Sequence, residues 1–209
     1  MHNQNSQRER VLLGMLASMQ CDSRQSQRRW AAEFGVALGL VNTYLNFCIR
    51  KGFVRVKRIP ARRYAYYLTP KGMAEKSRLT VSYLSDSLTF FRHACTDCTN
   101  MYEHAEALGW TRLALYGTGE LADIAILCAV GRTSKLIGIL DSSGSKRFFR
   151  GLPVTSSVDR LGSFDAVIVA DHQNPQGVYD ELIRRVPANR LLAPDVLGIS
   201  RHSLNMATA

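Results

Sequence analysis

Three stretches near the N-terminus repeat apolar residues every three or four positions, which is the spacing of an amphipathic helix. They cover residues 8–19, 26–34 and 37–50. Ser26 stands where the second of these helices would be capped, and Gly52 follows the third, where a glycine commonly ends a helix. The pattern therefore predicts three helices, each with one buried face.

After the third helix the pattern changes to the alternation of a β-strand. Strand-like runs at 53–56 and 64–68 flank a basic segment, Lys57 to Arg63, that contains Pro60. Three helices followed by a two-stranded hairpin with a basic tip is the element order of a winged helix-turn-helix domain. We expect this α+β domain to occupy residues 1–80.

A long helical connector is expected at residues 81–108. Thr69 and Pro70 form a helix start, and the stretch from 80 to 108 contains neither proline nor glycine. Its apolar positions lie close to a 3–4 repeat and include Val81, Leu84, Leu88, Phe91, Ala94 and Cys95. This spacing favours a helix that packs on a second copy of the chain in a homodimer, with burial inside the monomer as the alternative.

Residues 109–209 alternate short apolar runs with helical segments, which indicates a parallel sheet with helical cover, a small Rossmann-like α/β domain. The predicted strands are 112–116, 135–140, 164–170 and a short run at 190–192; the predicted helices are 121–130 and 179–185. A polar, basic loop is expected at 142–151. The chain is thus read as two folded domains joined by a long helix.

The net charge of +10 lies entirely in residues 1–90, which hold 15 Lys and Arg against 5 Asp and Glu, whereas residues 91–209 hold 12 of each kind. A basic domain suits double-stranded DNA, where neutralised phosphates release counterions. A neutral domain suits a small ligand or a protein partner. No apolar run is long enough for a membrane span and no signal peptide is evident, so we expect a cytoplasmic protein without a membrane partner.

The third helix carries the expected base-reading face. Leu38, Val41 and Leu45 are predicted to point inward. The opposite face presents Gly39, Asn42, Thr43, Asn46 and Arg50. Asparagine can pair with adenine through two hydrogen bonds, and threonine offers a methyl or hydroxyl group to a base edge. An ordinary solvated helix face is the alternative.

The hairpin carries the expected phosphate contacts. Lys57, Arg58, Arg62 and Arg63 surround Pro60 at the predicted tip. Cations gathered on a short loop repel one another, and a nucleic-acid backbone supplies the counter-anion. Arg28 and Arg29, at the start of the second helix, are expected to contact phosphates as well. A solubilising charged loop is the alternative reading.

The segments 40–45, 49–57 and 59–72 resemble MarR-type winged-helix regulators, in particular the group linked to bacterial exopolysaccharide genes. The resemblance covers about residues 8–80. It implies a dimeric transcriptional regulator that binds a pseudo-palindromic site. Beyond residue 80 the chain departs from that family, because an α/β domain follows, and the family's ligand pocket is not carried over.

The α/β half contains a dinucleotide-binding pattern. Gly117, Gly119 and Ala122 follow a predicted strand and open a helix, and Asp141 ends the next strand. Glycines allow a tight turn and a close approach of phosphate to the helix N-terminus, while the acid accepts hydrogen bonds from ribose hydroxyls. The remaining residues expected to line this site are Thr118, Glu120, Leu121, Ser142, Asp171 and His172.

This pattern resembles small nucleotide- or CoA-binding Rossmann modules, including the N-terminal part of sugar acyltransferases. The resemblance implies NAD(H), CoA or a nucleotide sugar as ligand, and an empty structural module is the alternative. Glu120 departs from the pattern because its charge would repel a pyrophosphate. The cofactor therefore stays open at this point.

Two further pairs carry possible chemistry. Asp171 and His172 could form an acid–base pair, although a loop of ligand contacts is favoured. Cys95 and Cys98 could be redox-active, although two buried helical cysteines are favoured. No second pair completes a metal site, so we expect no metal.

These patterns predict a ligand-responsive, DNA-binding transcriptional regulator rather than an enzyme. Its plan is similar to that of the Rex repressors, with a winged helix first and a nucleotide-binding domain second. Two alternatives stay open: a sugar-nucleotide or NAD-dependent enzyme with a DNA-tethering domain, and a DNA-binding scaffold whose α/β half binds no ligand.

Overall fold

The computed structural model describes residues 2–60, 63–142 and 146–201, with the side chains of residues 2–6 and of Arg63 outside that description. The chain divides into two compact units, Met1–Ser87 and Leu88–Ala209. Each unit has a hydrophobic core of its own.

The first unit contains three helices and a two-stranded antiparallel sheet. They are α1 His2–Cys21, α2 Gln27–Glu33, α3 Leu38–Arg50, β1 Val54–Ile59 and β2 Arg63–Leu68. Trp30 is fully buried at the centre, where its ring lies 5.4 Å from that of Tyr66 and its Nε1 donates a hydrogen bond to Ser18 Oγ at 2.9 Å. Apolar residues from all three helices surround it.

The helix ends predicted in this unit are confirmed. Ser26 Oγ accepts a hydrogen bond from the backbone N–H of Arg29 at 3.2 Å, which caps α2. Gly52 follows α3 with a φ of +73°, and its N–H donates to the carbonyl of Ile49. The N–H of Phe53 donates to the carbonyl of Cys48, which completes the paired hydrogen bonds of a Schellman ending.

The expected inward face of α3 needs one correction. Val41 and Leu45 are buried, but Leu38 is 44% exposed. Leu38 is the first residue of α3, and the end of a helix extends past the layer that covers its middle turns. The inward prediction for Leu38 was therefore wrong.

The hairpin is longer than predicted. Lys57 pairs with Ala65 and Arg58 with Tyr64 inside the ladder, so neither cation lies at the tip. Pairing continues to Ile59, opposite Arg63, and a longer antiparallel ladder gains backbone hydrogen bonds at every second residue pair. Arg62 lies outside the described residues, and only the backbone of Arg63 is described.

One helix, α4, runs from Pro70 to Ala107, so the helix predicted at Pro70 and the connector are a single element. Thr69 begins it: its Oγ1 accepts the N–H of Gly72 at 3.1 Å and donates to the carbonyl of Gly52 at 2.6 Å. A Cβ at Gly72 would lie only 2.0 Å from the carbonyl oxygen of Phe53. The start of α4 thus packs directly on the turn that ends α3.

The second unit contains a mixed six-stranded sheet. Its elements after α4 are β3 Arg112–Tyr116, α5 Glu120–Cys128, β4 Lys135–Leu140, β5 Phe148–Phe149, β6 Leu152–Thr155, β7 Ala166–Val169, α6 Pro175–Leu182 and β8 Leu191–Leu192. The strand order is β5-β6-β4-β3-β7-β8. Five strands run parallel, and β5 pairs antiparallel with β6.

The prediction of an all-parallel sheet was therefore wrong at one edge. The segment expected to be a loop, 142–151, contains β5, and β6 was missed altogether. Arg150 and Gly151 both have positive φ, +50° and +83°, which turns the chain back sharply between these two strands. Helix α6 also begins earlier than predicted because the Asn174 side chain accepts the N–H of Gly177.

The C-terminal half of α4 belongs to the core of this unit. Tyr102 is fully buried and its hydroxyl donates to the carbonyl of Ala125 at 2.9 Å. Cys98 is buried beside it, and Cys95 is half-buried. Burial raises the pKa of the Cys98 thiol to about 12, so little thiolate forms at neutral pH, which disfavours the redox interpretation.

Among the described residues, no single helix is long and apolar enough to cross a membrane. The pair α2 and α3 reaches that length and hydropathy only when taken together, and it is bent by 115°.

Candidate nucleic-acid interface and ligand cleft

The outward face of α3 exposes all five residues that the sequence predicted there, and buries the opposite side in the core of the first unit. The exposed set is Gly39, Asn42, Thr43, Asn46 and Arg50, and the buried set is Val41, Leu45 and Cys48. This arrangement follows from the 3.6-residue period, because Val41, Leu45 and Cys48 recur at steps of four and three.

Hydrogen bonds inside α3 determine which groups remain for a partner. Thr43 Oγ1 donates to the carbonyl of Gly39 at 2.9 Å, so its oxygen can still accept but its proton is used. Asn46 Nδ2 lies 3.4 Å from Asn42 Oδ1, so the amide nitrogen of Asn42 and the amide oxygen of Asn46 stay open. One free donor and one free acceptor therefore face outward on successive turns, the groups that a base edge pairs with.

The hairpin carries cations on both of its faces. Arg55 stands opposite Tyr67, and Lys57 follows on the same face. Arg58 stands opposite Tyr64 on the other face. All of these side chains are exposed except that of Ala65, the partner of Lys57. The sequence indicated the cations, but Tyr64 and Tyr67 were missed as surface residues; the cross-strand register is the signal that places them beside arginines.

Helix α2 adds two further cations. Arg28 and Arg29 are both exposed in its first turn, next to the capping residue Ser26. The structure thus places cations of α2, α3 and the hairpin on the exposed surface of one unit. Cations of this kind neutralise phosphates without reading sequence.

The second unit has a cleft where β3 and β7 end. These strands are neighbours in the sheet although α5, β4, β5 and β6 separate them along the chain. The chain therefore leaves the two strands in opposite directions, which opens a crevice at their carboxyl ends. The cleft has a volume of about 270 Å³ and is lined by Gly117, Thr118, Gly119, Asp141, Ala170, Asp171, His172 and Gln173.

Gly117 is required by the geometry of this cleft. Its φ is +104°, and a Cβ there would lie 3.2 Å from the backbone nitrogen of Asp171. A Cβ at Gly119 would lie 3.5 Å from the ring of His172. The loop after β3 and the loop after β7 thus approach each other closely. The two glycines leave the space between these loops open at the start of α5.

A short hydrogen bond crosses the cleft wall. Thr118 Oγ1 donates to Asp141 Oδ2 at 2.6 Å, and the backbone N–H of Asp141 donates to the carbonyl of Thr155 at 2.9 Å. These contacts fix the carboxylate of Asp141 at the end of β4. The sequence predicted both residues for the site, but not that one would orient the other.

Asp171 has a structural role in its loop. Its Oδ1 accepts the backbone N–H groups of Gln173 at 2.7 Å and Asn174 at 3.1 Å, which holds the turn that leads into α6. His172 is exposed beside it. The arrangement favours a loop that presents His172 to a ligand over an acid–base pair.

Three of the residues predicted for this site do not line the cleft. Glu120 is exposed at the first position of α5, Leu121 is buried in the core, and Ser142 accepts a hydrogen bond from the Tyr116 hydroxyl at 3.1 Å. Ala170 and Gln173 line it and were missed, because their positions depend on how β7 ends against β3.

The charge of the cleft is negative. Of the described residues that line it, two are carboxylates and none is lysine or arginine. Close by, Arg150 donates to both oxygens of Asp123 at 2.7 and 3.0 Å and holds the pKa of that carboxyl below its usual range. This ion pair fastens the β5–β6 turn to α5 and occupies the guanidinium.

No family model and no curated protein matches the chain. Among solved structures, a crystal structure of a MarR family transcription regulator is similar, with a TM-score of 0.33 and 20% sequence identity over 41% of this chain. The match covers 54% of that regulator, so the chain spans about half the length of the structure it matches.

Proposed function

We propose that the protein is a DNA-binding transcriptional regulator whose first unit is a winged helix-turn-helix domain. The observation that carries this proposal is the exposed surface of that unit. It combines the polar face of α3 with cations on both faces of the β1–β2 hairpin and on α2. In a winged helix, the third helix enters the major groove and the hairpin lies along the backbone.

Charge supports DNA as the partner rather than an uncharged surface. The excess of ten cations in residues 1–90 has few carboxylates available to neutralise it. Within the described part of the first unit, Arg78 of α4 is the cation that forms ion pairs, with Glu9 and Glu75. The cations of α3 and β1 are left to interact with phosphates.

The test is selection of duplexes from a random library by the full-length protein, followed by titration of the selected duplex. We expect a specific complex whose affinity falls steeply with salt, since each neutralised phosphate contributes about 0.9 to the slope of log K against log salt. Arg55→Ala and Lys57→Ala should each reduce that slope by about one.

Arg160→Ala is the matched control, because Arg160 is an exposed cation of the second unit. It should leave both affinity and slope unchanged. If the wild-type protein enriches no duplex even at low salt, the proposal is contradicted.

We further propose that the regulator is a homodimer held by α4. The side chains of Val81, Leu84, Leu88 and Phe91 are 65%, 55%, 52% and 40% exposed. Their 3–4–3 spacing is that of the a and d positions of a coiled coil, and the first pair, Val81 at a with Leu84 at d, is the combination that favours two parallel strands. A dimer of this kind matches a pseudo-palindromic operator.

The effector proposal concerns the cleft of the second unit. We propose that it binds a small nucleotide-type ligand, with a ribose hydroxyl pair on Asp141 and any phosphate on the N–H groups at the start of α5. The strand order and the Gly117 turn support this Rossmann-like reading. Because the cleft is acidic, a ligand with few phosphates on the Asp141 side suits it better than a 2′-phosphorylated one.

The role proposed for this unit is sensing rather than catalysis. Asp171 Oδ1 accepts two backbone N–H groups of its own loop, which supports a structural role for this carboxylate. A bound effector would then alter DNA affinity, which by linkage means that DNA alters effector affinity by the same factor.

A further inference from the structure

Gly39 is a glycine that the fold does not explain. Each of the other described glycines either has a positive φ or would place a Cβ within 4 Å of a neighbouring atom. Gly39 has an ordinary helical backbone, and a Cβ there would meet nothing within 4 Å. A side chain at this position would therefore fit the protein by itself.

Glycine in a helix has a cost, because it loses more backbone entropy on folding than alanine does. Gly39 lies in the first turn of α3, where this cost is smaller than in the helix interior, but neither a bend nor a close internal contact uses the missing side chain. A residue that the free protein does not need is explained by something outside the protein that comes close to the backbone.

The surroundings of Gly39 identify that partner. On the helical wheel it lies between Asn46 and Arg50, near the centre of the outward face. Thr43, one turn on, donates its hydroxyl proton to the Gly39 carbonyl, so that proton is not available to a partner. The backbone at the start of α3 is therefore uncovered by any side chain of residue 39, and Asn46 and Arg50 flank it on the wheel.

We infer that Gly39 sets how deeply α3 enters the major groove, since its bare backbone lets base edges or a phosphate approach within van der Waals contact of the helix. This inference rests on the proposed DNA-binding function and adds a specificity-determining position to it. A methyl group at residue 39 would hold the whole helix away from the groove floor. The contacts of Asn42 and Asn46 would then lengthen together.

The experiment uses the full-length protein and the duplex selected by it. Gly39→Ala and Gly39→Ser are compared with the wild type by fluorescence anisotropy at one salt concentration, on the selected duplex and on an unrelated one. We expect Gly39→Ala to weaken specific binding about tenfold, the loss of one base-pair contact, and Gly39→Ser to weaken it at least as much. Binding to the unrelated duplex, which depends on phosphates, should change less than threefold.

Stability provides the second readout. Gly39→Ala should keep or raise the melting temperature, by about 2 °C, because alanine restricts the unfolded chain. Ser77→Thr adds one methyl group to an exposed position of α4 and is the matched control. It should leave the affinity for the selected duplex and for the unrelated duplex unchanged.

The outcomes separate this inference from the function on which it rests. A wild-type protein that forms no specific complex overturns both. A specific complex that Gly39→Ala binds as tightly as the wild type overturns the inference alone. A lowered melting temperature for Gly39→Ala also overturns it, because Gly39 would then serve the fold.

Discussion

Gly72 shows how one missing side chain joins two elements of the first unit. A Cβ there would lie 2.0 Å from the carbonyl oxygen of Phe53 and 3.1 Å from Leu68 Cδ2. That carbonyl cannot move aside freely, because it also accepts the backbone N–H of Thr69 at 3.0 Å. The start of α4 and the end of the α3 turn therefore share one tightly filled contact.

We predict that Gly72→Ala lowers the free energy of unfolding by about 1–3 kcal/mol, the usual range for overpacking. Urea denaturation of the full chain, followed by circular dichroism, measures it. Ala74→Gly is the control for helix propensity in the same region and should lose about 1 kcal/mol or less. A Gly72→Ala midpoint equal to that of the wild type would contradict the contact.

Residue roles were predictable from the sequence where their causes are local. Ser26 and Gly52 act within four residues of their own positions, so capping rules identify them. Gly72 acts on Phe53 through a tertiary contact, and Thr118 acts on Asp141 across two strands. No local pattern carries such information, which is why neither contact could be predicted from the sequence.

At the scale of elements, α4 is where the sequence and the structure agree most closely: the apolar positions that the sequence predicts to pack on a partner are exposed. Every residue from Tyr83 to His93 is exposed in the isolated chain, including four large apolar side chains besides Tyr83. A helix with this much exposed apolar surface is stabilised by packing on another helix. In the proposed homodimer, the a and d positions predict which residues make that contact.

We predict that Leu84→Asp and Leu88→Asp each convert the proposed dimer to a monomer, because the aspartate loses the apolar contact between the two helices and its charge would be buried without a partner. Analytical ultracentrifugation at micromolar concentration measures the mass. Thr89→Asp, on the outer side of the same turn, is the control and should remain dimeric. A wild-type protein that sediments as a monomer would remove the basis of this prediction.

Long elements were predicted well and short ones were not. The helices of the first unit and strands β3 and β4 carry several periodic residues each, which is enough for a pattern to emerge. Strand β5 has two residues and β6 contains Pro153, so neither forms a clear alternation. The exposure of Leu38 was missed because periodicity shows which face of a helix is buried, but not where along the helix that burial ends.

For the whole molecule, the proposed sensor role predicts that a ligand stabilises the native state. We expect one of NAD, NADH, CoA or a nucleotide sugar to raise the melting temperature, since ligand at a hundred times its Kd contributes about 2.7 kcal/mol. Thr118→Val should reduce that shift, because it removes the hydroxyl that orients Asp141. Thermal-shift assays over a concentration series measure both.

Ser142→Ala is the control, since Ser142 lies beside Asp141 in the chain but does not line the cleft. Its shift should equal that of the wild type. If none of the four compounds changes the melting temperature, the result counts against sensing. It then favours a DNA-binding scaffold whose second unit binds no ligand. A ligand that binds but leaves DNA affinity unchanged would contradict the coupling rather than the site.

The chain contains only two tryptophans, and each unit holds one of them. Trp30 is fully buried against Tyr66 behind the α2 and α3 surface, whereas Trp110 is partly exposed with its ring edge-on to that of His104 at 6.1 Å. Their emission spectra should differ, the buried indole being bluer. Trp30→Phe and Trp110→Phe would therefore give the protein one optical reporter at a time, so that melting of each unit can be followed separately by light alone.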